Sequence, residues 1–203
     1  MGELVKEIFY GSLSFYVFRG VYEPAEDTFL LARNLDVQEG ERVMDVGTGC
    51  GILAILSAFK ASWVLATDIN PLAVRCARAN AKRNGVLGKI DFLCGDLFGP
   101  LNRKPMFDLV LFNAPYLPME EEPKELIDYA WHGGRSGRET INRFLSEVFD
   151  YLKYRGRILM VQSSLSNIEE TLLALERKGF RAEITDEERF FFERIALIKA
   201  IKS

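Results

Sequence analysis

Short apolar runs, each stopped by glycine, proline or charge, recur along this chain with amphipathic stretches between them. The runs Glu41–Gly47, Ser62–Asp68, Lys89–Cys94, Phe107–Phe112 and Gly156–Gln162 are rich in β-branched and aromatic residues, as strands buried on both faces are. Helix punctuation lies between them. Pro24 suits a first turn with Glu26 and Asp27 at its positive end, and that helix runs to about Leu35. A second covers Ile52–Lys60. A third takes Asn70 as its cap and Pro71 as its first residue, and ends at Asn84-Gly85. The capping boxes Ser136-x-x-Glu139 and Ser166-x-x-Glu169 predict a helix over 137–154 and another closed by Gly179. Phe180–Thr185 and Phe190–Ile201 read as strands joined by the charged turn Asp186–Arg189.

Two stretches escape the pattern. Residues 1–20 mix aromatics and glycines in no clean period and predict a short hairpin or flap, leaving 21–203 as the core of one domain spanning 1–203. Residues 114–138 form a connection of a length that is usually functional or disordered. Alternating strands and helices predict an α/β fold with a doubly wound, mostly parallel sheet. The last two strands have no helix between them, so one of them runs antiparallel. A seven-stranded sheet closed by such a hairpin resembles the Rossmann-like class I S-adenosylmethionine-dependent methyltransferases.

Composition narrows the function classes. A net charge of −3 lacks the basic footprint of proteins that hold nucleic acid by charge. No apolar run reaches membrane-span length, since Lys60, Glu193 and Lys199 interrupt the longest. Met1-Gly2-Glu3-Leu4-Val5-Lys6 lacks a signal-peptide stretch, and Lys6 stands where a myristoylation site needs Ser or Thr. Cys50, Cys76 and Cys94 are widely spaced and read as reduced core thiols of a cytoplasmic protein. With His132 the one histidine, no metal site is expected.

Candidate chemistry gathers at strand ends. Asp45-x-Gly47-x-Gly49-x-Gly51 lets main chain approach a ligand at a helix N-terminus. The residue after it is Ile52, where a dinucleotide fingerprint wants glycine. Asp68 ends the second strand about 20 residues on, where a carboxylate can accept ribose hydroxyls. Asp96 and Leu97 follow the third strand. Leu109-Val110-Leu111-Phe112 runs into Asn113-Ala114-Pro115-Tyr116, delivering an amide, a proline-stiffened carbonyl and an aromatic ring to the end of the fourth.

Asn113-Ala114-Pro115-Tyr116 resembles the Asn-Pro-Pro-Tyr mark of methyltransferases acting on conjugated nitrogen, either adenine N6 or a glutamine amide. Val21-Tyr22-Glu23-Pro24-Ala25-Glu26-Asp27-Thr28, Thr67-Asp68-Ile69-Asn70-Pro71 and Trp131-x-Gly133-Gly134-Arg135-x-Gly137-Arg138-Glu139 narrow the likeness. Together these blocks resemble the short archaeal and eukaryotic branch of the HemK family, protein N5-glutamine methyltransferases acting on the Gly-Gly-Gln loop of peptide-chain release factors. That resemblance implies S-adenosylmethionine as cofactor, held by Tyr22, Pro24, Thr28, Asp45, Gly47, Gly49, Gly51, Asp68, Asp96, Leu97 and Asn113. It implies Asn113 Oδ1 and the Ala114 carbonyl as acceptors of the amide N–H groups, with Pro115 stiffening the turn and Tyr116 flanking the glutamine. Ala114 departs from the pattern's first proline. The Trp131–Arg138 loop would form the acceptor-facing wall. Eukaryotic relatives use a small zinc-binding activator subunit. An adenine-N6 methyltransferase and a cofactor-binding scaffold subunit are the alternatives.

Overall fold

In the computed structural model, residues 3–203 are described; Met1 and Gly2, part of the terminus read above for leader and lipidation signals, lie outside them. The strands are β1 (Leu4–Tyr10), β2 (Leu13–Phe18), β3 (Arg42–Val46), β4 (Trp63–Asp68), β5 (Ile90–Cys94), β6 (Phe107–Asn113), β7 (Leu152–Ser163), β8 (Phe180–Arg189) and β9 (Arg194–Lys202). The helices are α1 (Glu26–Arg33), α2 (Ile52–Ala58), α3 (Pro71–Arg83), α4 (Glu139–Glu147) and α5 (Ile168–Arg177). Seven strands form one sheet in the order β5-β4-β3-β6-β7-β9-β8. The first five of these are parallel neighbours, and β9 runs antiparallel to both β7 and β8.

The period of two along each central strand divides the core. Val43, Leu109, Leu111, Leu159 and Val161 face a cluster built with α1, α2 and α3. Met44, Val110, Phe112, Ile158 and Met160 face another built with α4 and α5. Phe112 stacks on Phe144 at 4.3 Å between ring centroids, fixing α4 over the end of β6. Each such fully buried side chain contributes about 1.5–3 kcal/mol.

The first residues form the hairpin expected of them, with β1 and β2 antiparallel around Gly11. Among the described residues it has no backbone pairing to the main sheet, and it is held by two asparagines, Asn80 within α3 and Asn84 at its C-terminal cap. Asn80 Oδ1 accepts Tyr16 N–H (2.8 Å), while its Nδ2 donates to the Tyr16 and Cys50 carbonyls, both at 2.8 Å. Asn84 repeats the arrangement on Ser14 at 3.3 and 2.9 Å. Asn80 is fully buried, and its amide satisfies three main-chain groups on two separate segments.

Four expectations are corrected. The helix predicted over 137–154 ends at Glu147 and passes through a 3₁₀ turn, Val148–Asp150, because Leu152 already belongs to β7, paired with Phe107, and Tyr151 O accepts Met106 N–H (2.8 Å) and Phe107 N–H (3.0 Å) at its start. Neither capping box forms. Glu139 Oε1 accepts Arg135 N–H (3.1 Å), and α5 is capped by Asn167, whose φ of 57° is one asparagine tolerates better than serine. Asp186–Arg189 is not a turn but the end of β8, with the turn at Phe190–Glu193. A register shift between Ile184 and Asp186 turns those acids toward Arg33 of α1 and Arg194 of β9, so they are paired where the sequence suggested a solvated loop. Cys94 is exposed, while Cys50 and Cys76 are buried as predicted.

Candidate active site at the carboxyl ends of the parallel strands

Four parallel strands, β3 to β6, deliver their last residues to one edge of the sheet. The chain leaves β3 through Gly47, Gly49 and Gly51 at φ of 70°, 55° and 88°, angles that favour glycine. A Cβ on Gly47 or Gly49 would meet nothing, so bare main chain faces the space outside. Gly51 has a different task. A Cβ there would lie 2.8 Å from that of Ala77, so this glycine lets α2 and α3 touch and does not line the cleft.

Asp45 is fully buried beneath this turn. Its Oδ2 accepts the Thr48 hydroxyl (2.6 Å) and the Ala54 N–H (3.1 Å), and its Oδ1 has no partner among the described residues. Burial pushes its carboxyl up to about 7 against those two hydrogen bonds. It shapes the turn from behind and is not on the cleft wall, unlike the direct ligand contact expected of it. Asp68 does line the cleft. Its Oδ2 accepts Gly49 N–H (2.9 Å) and its Oδ1 accepts Asn70 N–H (2.8 Å), which ties β4 to the glycine turn and to the start of α3. Burial raises this carboxyl too.

A single cleft of about 270 Å³ brings together Tyr22, Gly47, Gly49, Asp68, Asp96, Leu97, Asn113 and Pro115. Leu97 sits at a positive φ of 47°. Asp96 Oδ2 accepts Arg143 Nη2 of α4 at 2.6 Å. Arg143 also lines the cleft and was not singled out from the sequence, where an arginine mid-helix reads as a solvated face. Pro24 and Thr28 line a small adjoining recess with Gly47, Gly49 and Asn113. Ala114 is buried under the site and donates its N–H to Val161 O (3.3 Å).

Asn113 is held by a chain of polar contacts. Its Nδ2 donates to Thr28 Oγ1 (3.1 Å), and the Thr28 hydroxyl donates to Asp27 Oδ1 (3.1 Å). Asp27 also accepts Thr28 N–H (2.5 Å), Tyr22 OH (3.0 Å) and Tyr116 OH (3.0 Å). Burial, reinforced by the Asp27 charge, pushes both phenols well above their usual range and keeps them as donors. Asn113 Oδ1 is sealed from solvent and has no partner among the described residues. In the sequence Asp27 is an acid in a first helical turn, within the Val21–Thr28 block, and is not among the candidate site residues; nothing in its spacing shows that Tyr22 and the distant Tyr116 converge on it.

The 114–138 connection is not open. Leu117 N–H donates to Trp131 O and Gly133 N–H to Leu117 O, both at 2.9 Å, and Met119 N–H donates to Gly134 O at 2.9 Å. His132 Nε2 lies 2.6 Å from Glu121 O, and its Nδ1 accepts Gly134 N–H (3.1 Å). Glu122, Leu126, Ile127, Tyr129 and His132 thereby form a wall of the cleft. Arg138 turns inward from that wall. Its Nη1 donates to Ser166 O (2.5 Å), Asn167 O (2.7 Å) and Thr171 Oγ1 (3.0 Å), locking the wall to α5.

A parallel sheet with an antiparallel closing hairpin, a glycine turn after its first strand and acids ending the next two together define a class I methyltransferase. The comparisons with known proteins refine this. Residues 27–116 match the family model described as ribosomal protein L11 methyltransferase (PrmA), which covers the glycine turn through Tyr116. A protein of Methanocaldococcus jannaschii, provisionally named a protein N5-glutamine methyltransferase, is 42% identical over 89% of this chain and 91% of its own length. Methyltransferase HEMK2 of Homo sapiens is 36% identical over 100% of this chain and 99% of its own. The solved E. cuniculi Mtq2–Trm112 complex, described as methylating the eRF1 translation termination factor, superposes with a TM-score of 0.71 at 26% identity, covering 91% of this chain and 99% of that one. The chain belongs to the HemK family of protein N5-glutamine methyltransferases.

Proposed function

We propose that this chain transfers a methyl group from S-adenosylmethionine to the side-chain amide nitrogen of a glutamine, in the Gly-Gly-Gln loop of a peptide-chain release factor. The observation that carries this reading is Asn113. Its NH2 is engaged by Thr28, leaving a buried carbonyl oxygen without a partner among the described residues at the end of β6. A buried acceptor left unpaired costs about 1–3 kcal/mol, so its persistence suits a ligand that brings an N–H.

The residues present fit the cofactor. Gly47 and Gly49 leave space beside the main chain where its amino-acid part would lie, Asp68 would offer carboxylate lone pairs to ribose hydroxyls, and Asp96 with Leu97, on the same cleft, would hold the adenine. When bound, the cofactor supplies an electrophilic methyl on a positively charged sulfur. Asn113 Oδ1 and the Ala114 carbonyl would accept the two amide N–H groups, which would orient the nitrogen and favour its pyramidal form with the lone pair exposed for attack. No side chain needs to take a proton first, since the N–H proton departs after the C–N bond forms. Catalysis is then mainly positioning and preorganised polarity.

The reading extends to a cytoplasmic enzyme with a small activator subunit, expected from the family resemblance to be zinc-binding. Support comes from β5, whose outer edge has no paired strand in the sheet, and from the E. cuniculi relative, solved as a complex. The test offers labelled cofactor to release factor, to a release factor with the loop Gln replaced by Ala, and to DNA and RNA. Label on the first alone is the expected result. Label on nucleic acid and not on the factor overturns the proposal in favour of adenine.

A further inference from the structure

Four donors converge on one carboxylate beside Asn113: the two tyrosine hydroxyls, the Thr28 hydroxyl and the Thr28 main-chain N–H. Resting on the reading of Asn113 above, we propose that Asp27 is a positioning residue that sets which face of the Asn113 amide is presented to the substrate. A threonine hydroxyl has one hydrogen and two lone pairs. Asp27, an acceptor without a proton to offer as carboxylate, takes that hydrogen, so Thr28 turns lone pairs toward Asn113. Only the NH2 end of the Asn113 amide can satisfy them. The oxygen end must then point elsewhere, and it is this oxygen that stands unpartnered.

Asp27 and Thr28 are 5% and 4% exposed, so water does not compete with either link. Both belong to the first turns of α1, which packs against β6 and β7, so the relay is anchored in the fold and not in the loop above the cleft. The same carboxylate also fixes Tyr22, on the cleft wall, and Tyr116, three residues beyond Asn113. One acidic side chain thus orients three groups around a common centre.

An amide in place of the carboxylate reverses the relay. In Asp27→Asn one oxygen must serve all four donors; with that oxygen held by the two tyrosine hydroxyls, the NH2 faces Thr28 Oγ1 at the expense of the Thr28 N–H bond, and the threonine hydrogen is free to point at Asn113. The Asn113 amide then turns over, and its oxygen is engaged by Thr28 and lost to the substrate. Thr28→Val keeps the shape and removes the relay altogether.

The experiment measures methyl transfer to release factor by the full chain, with its activator subunit if one is needed, for wild type, Asp27→Asn, Thr28→Val, Thr28→Ser and the Asp27→Asn/Thr28→Val pair. Cofactor Kd, Tm and the side-chain NH2 signals of Asn113 in 15N NMR are read in parallel. The expected result is a fall in kcat of about tenfold to a hundredfold for Asp27→Asn and for Thr28→Val. The pair should be no slower than the worse single variant, because both remove one relay. Thr28→Ser should recover most of the Thr28→Val loss, cofactor Kd should stay within about threefold in Asp27→Asn, and the Asn113 NH2 signals should move in that variant. Losses that multiply in the pair, a loss seen in Tm alone, or unmoved Asn113 signals overturn the proposal. If wild type leaves release factor unlabelled, the substrate reading fails, and the NMR comparison still decides the role of Asp27.

Discussion

Replacing Asn113 by Ala separates the chemistry of this site from its stability. The variant removes the Nδ2 to Thr28 Oγ1 hydrogen bond, a loss of about 1 kcal/mol net. It also removes the sealed, unpartnered Oδ1, whose desolvation costs the native protein about 1–3 kcal/mol. The two effects oppose each other, so folding stability should change by no more than about 1 kcal/mol, or about 4 °C in Tm for a chain of this size. Turnover should behave otherwise. Losing one preorganised acceptor costs about a hundredfold or more in kcat, equivalent to about 2.7 kcal/mol. Cofactor affinity, which on the proposed function rests mainly on the glycine turn and Asp68, should hold within a few fold. Calorimetric melting, cofactor titration and single-turnover methyl transfer measure the three quantities. A Tm lowered by more than about 8 °C together with kcat reduced less than about tenfold would show that Asn113 is a structural strand end, and the reasoning would fail.

Three further outcomes test the frame around the site. Asn80→Leu takes the partner from Tyr16 N–H and from the buried Cys50 carbonyl and leaves Tyr16 O with the Cys76 thiol alone, so unfolding in urea should become easier by about 2 kcal/mol or more; a change below about 1 kcal/mol would mean the hairpin is not held by this residue. Gly51→Ala places a Cβ 2.8 Å from that of Ala77 at a φ of 88°, and strain plus overpacking should cost about 2–4 kcal/mol, read as a matching fall in the urea midpoint; an unchanged midpoint would contradict the α2–α3 contact. Asp45 is held near 7 in the fold against an unfolded value of 3.8, so between those limits the native state binds more protons and stability declines as pH rises, by up to about 1.4 kcal/mol per pH unit. Asp68, shifted the same way, adds to that slope. Asp45→Asn should flatten the decline between pH 4 and 7, and an identical slope in the variant would refute the assignment.

The features legible in the sequence were those written locally. Strand alternation, the Asn70-Pro71 helix start and the glycine turn each depend on residues within one turn of one another, and each lies where its pattern put it. The same holds for the arrival of Asn113 at a strand end. The site residues that stayed hidden depend on contacts between distant segments. Asp27 matters because Tyr22 and Tyr116 both reach it, and Arg143 because Asp96 lies across from it. The misplaced elements have the same cause. Ser136 and Ser166 carry helix-start spacing, yet Glu139 meets Arg135 N–H and Asn167 adopts a left-handed angle, so the caps formed elsewhere. Asp186–Arg189 looks like a turn until Arg33, more than 150 residues away, supplies counter-charges to a strand.

The wall above the cleft is joined strut to strut by main-chain pairs of Leu117 with Trp131 and Gly133 and of Met119 with Gly134, and is pinned from behind by Arg138. Little of that bracing uses the side chains that look into the cleft, such as Glu122, Leu126, Ile127 and Tyr129. Those positions are therefore free to vary while the partition stays upright. Descendants of one ancestral enzyme can in this way come to favour different protein loops by redecorating a standing surface, with the methyl-transfer floor beneath it untouched.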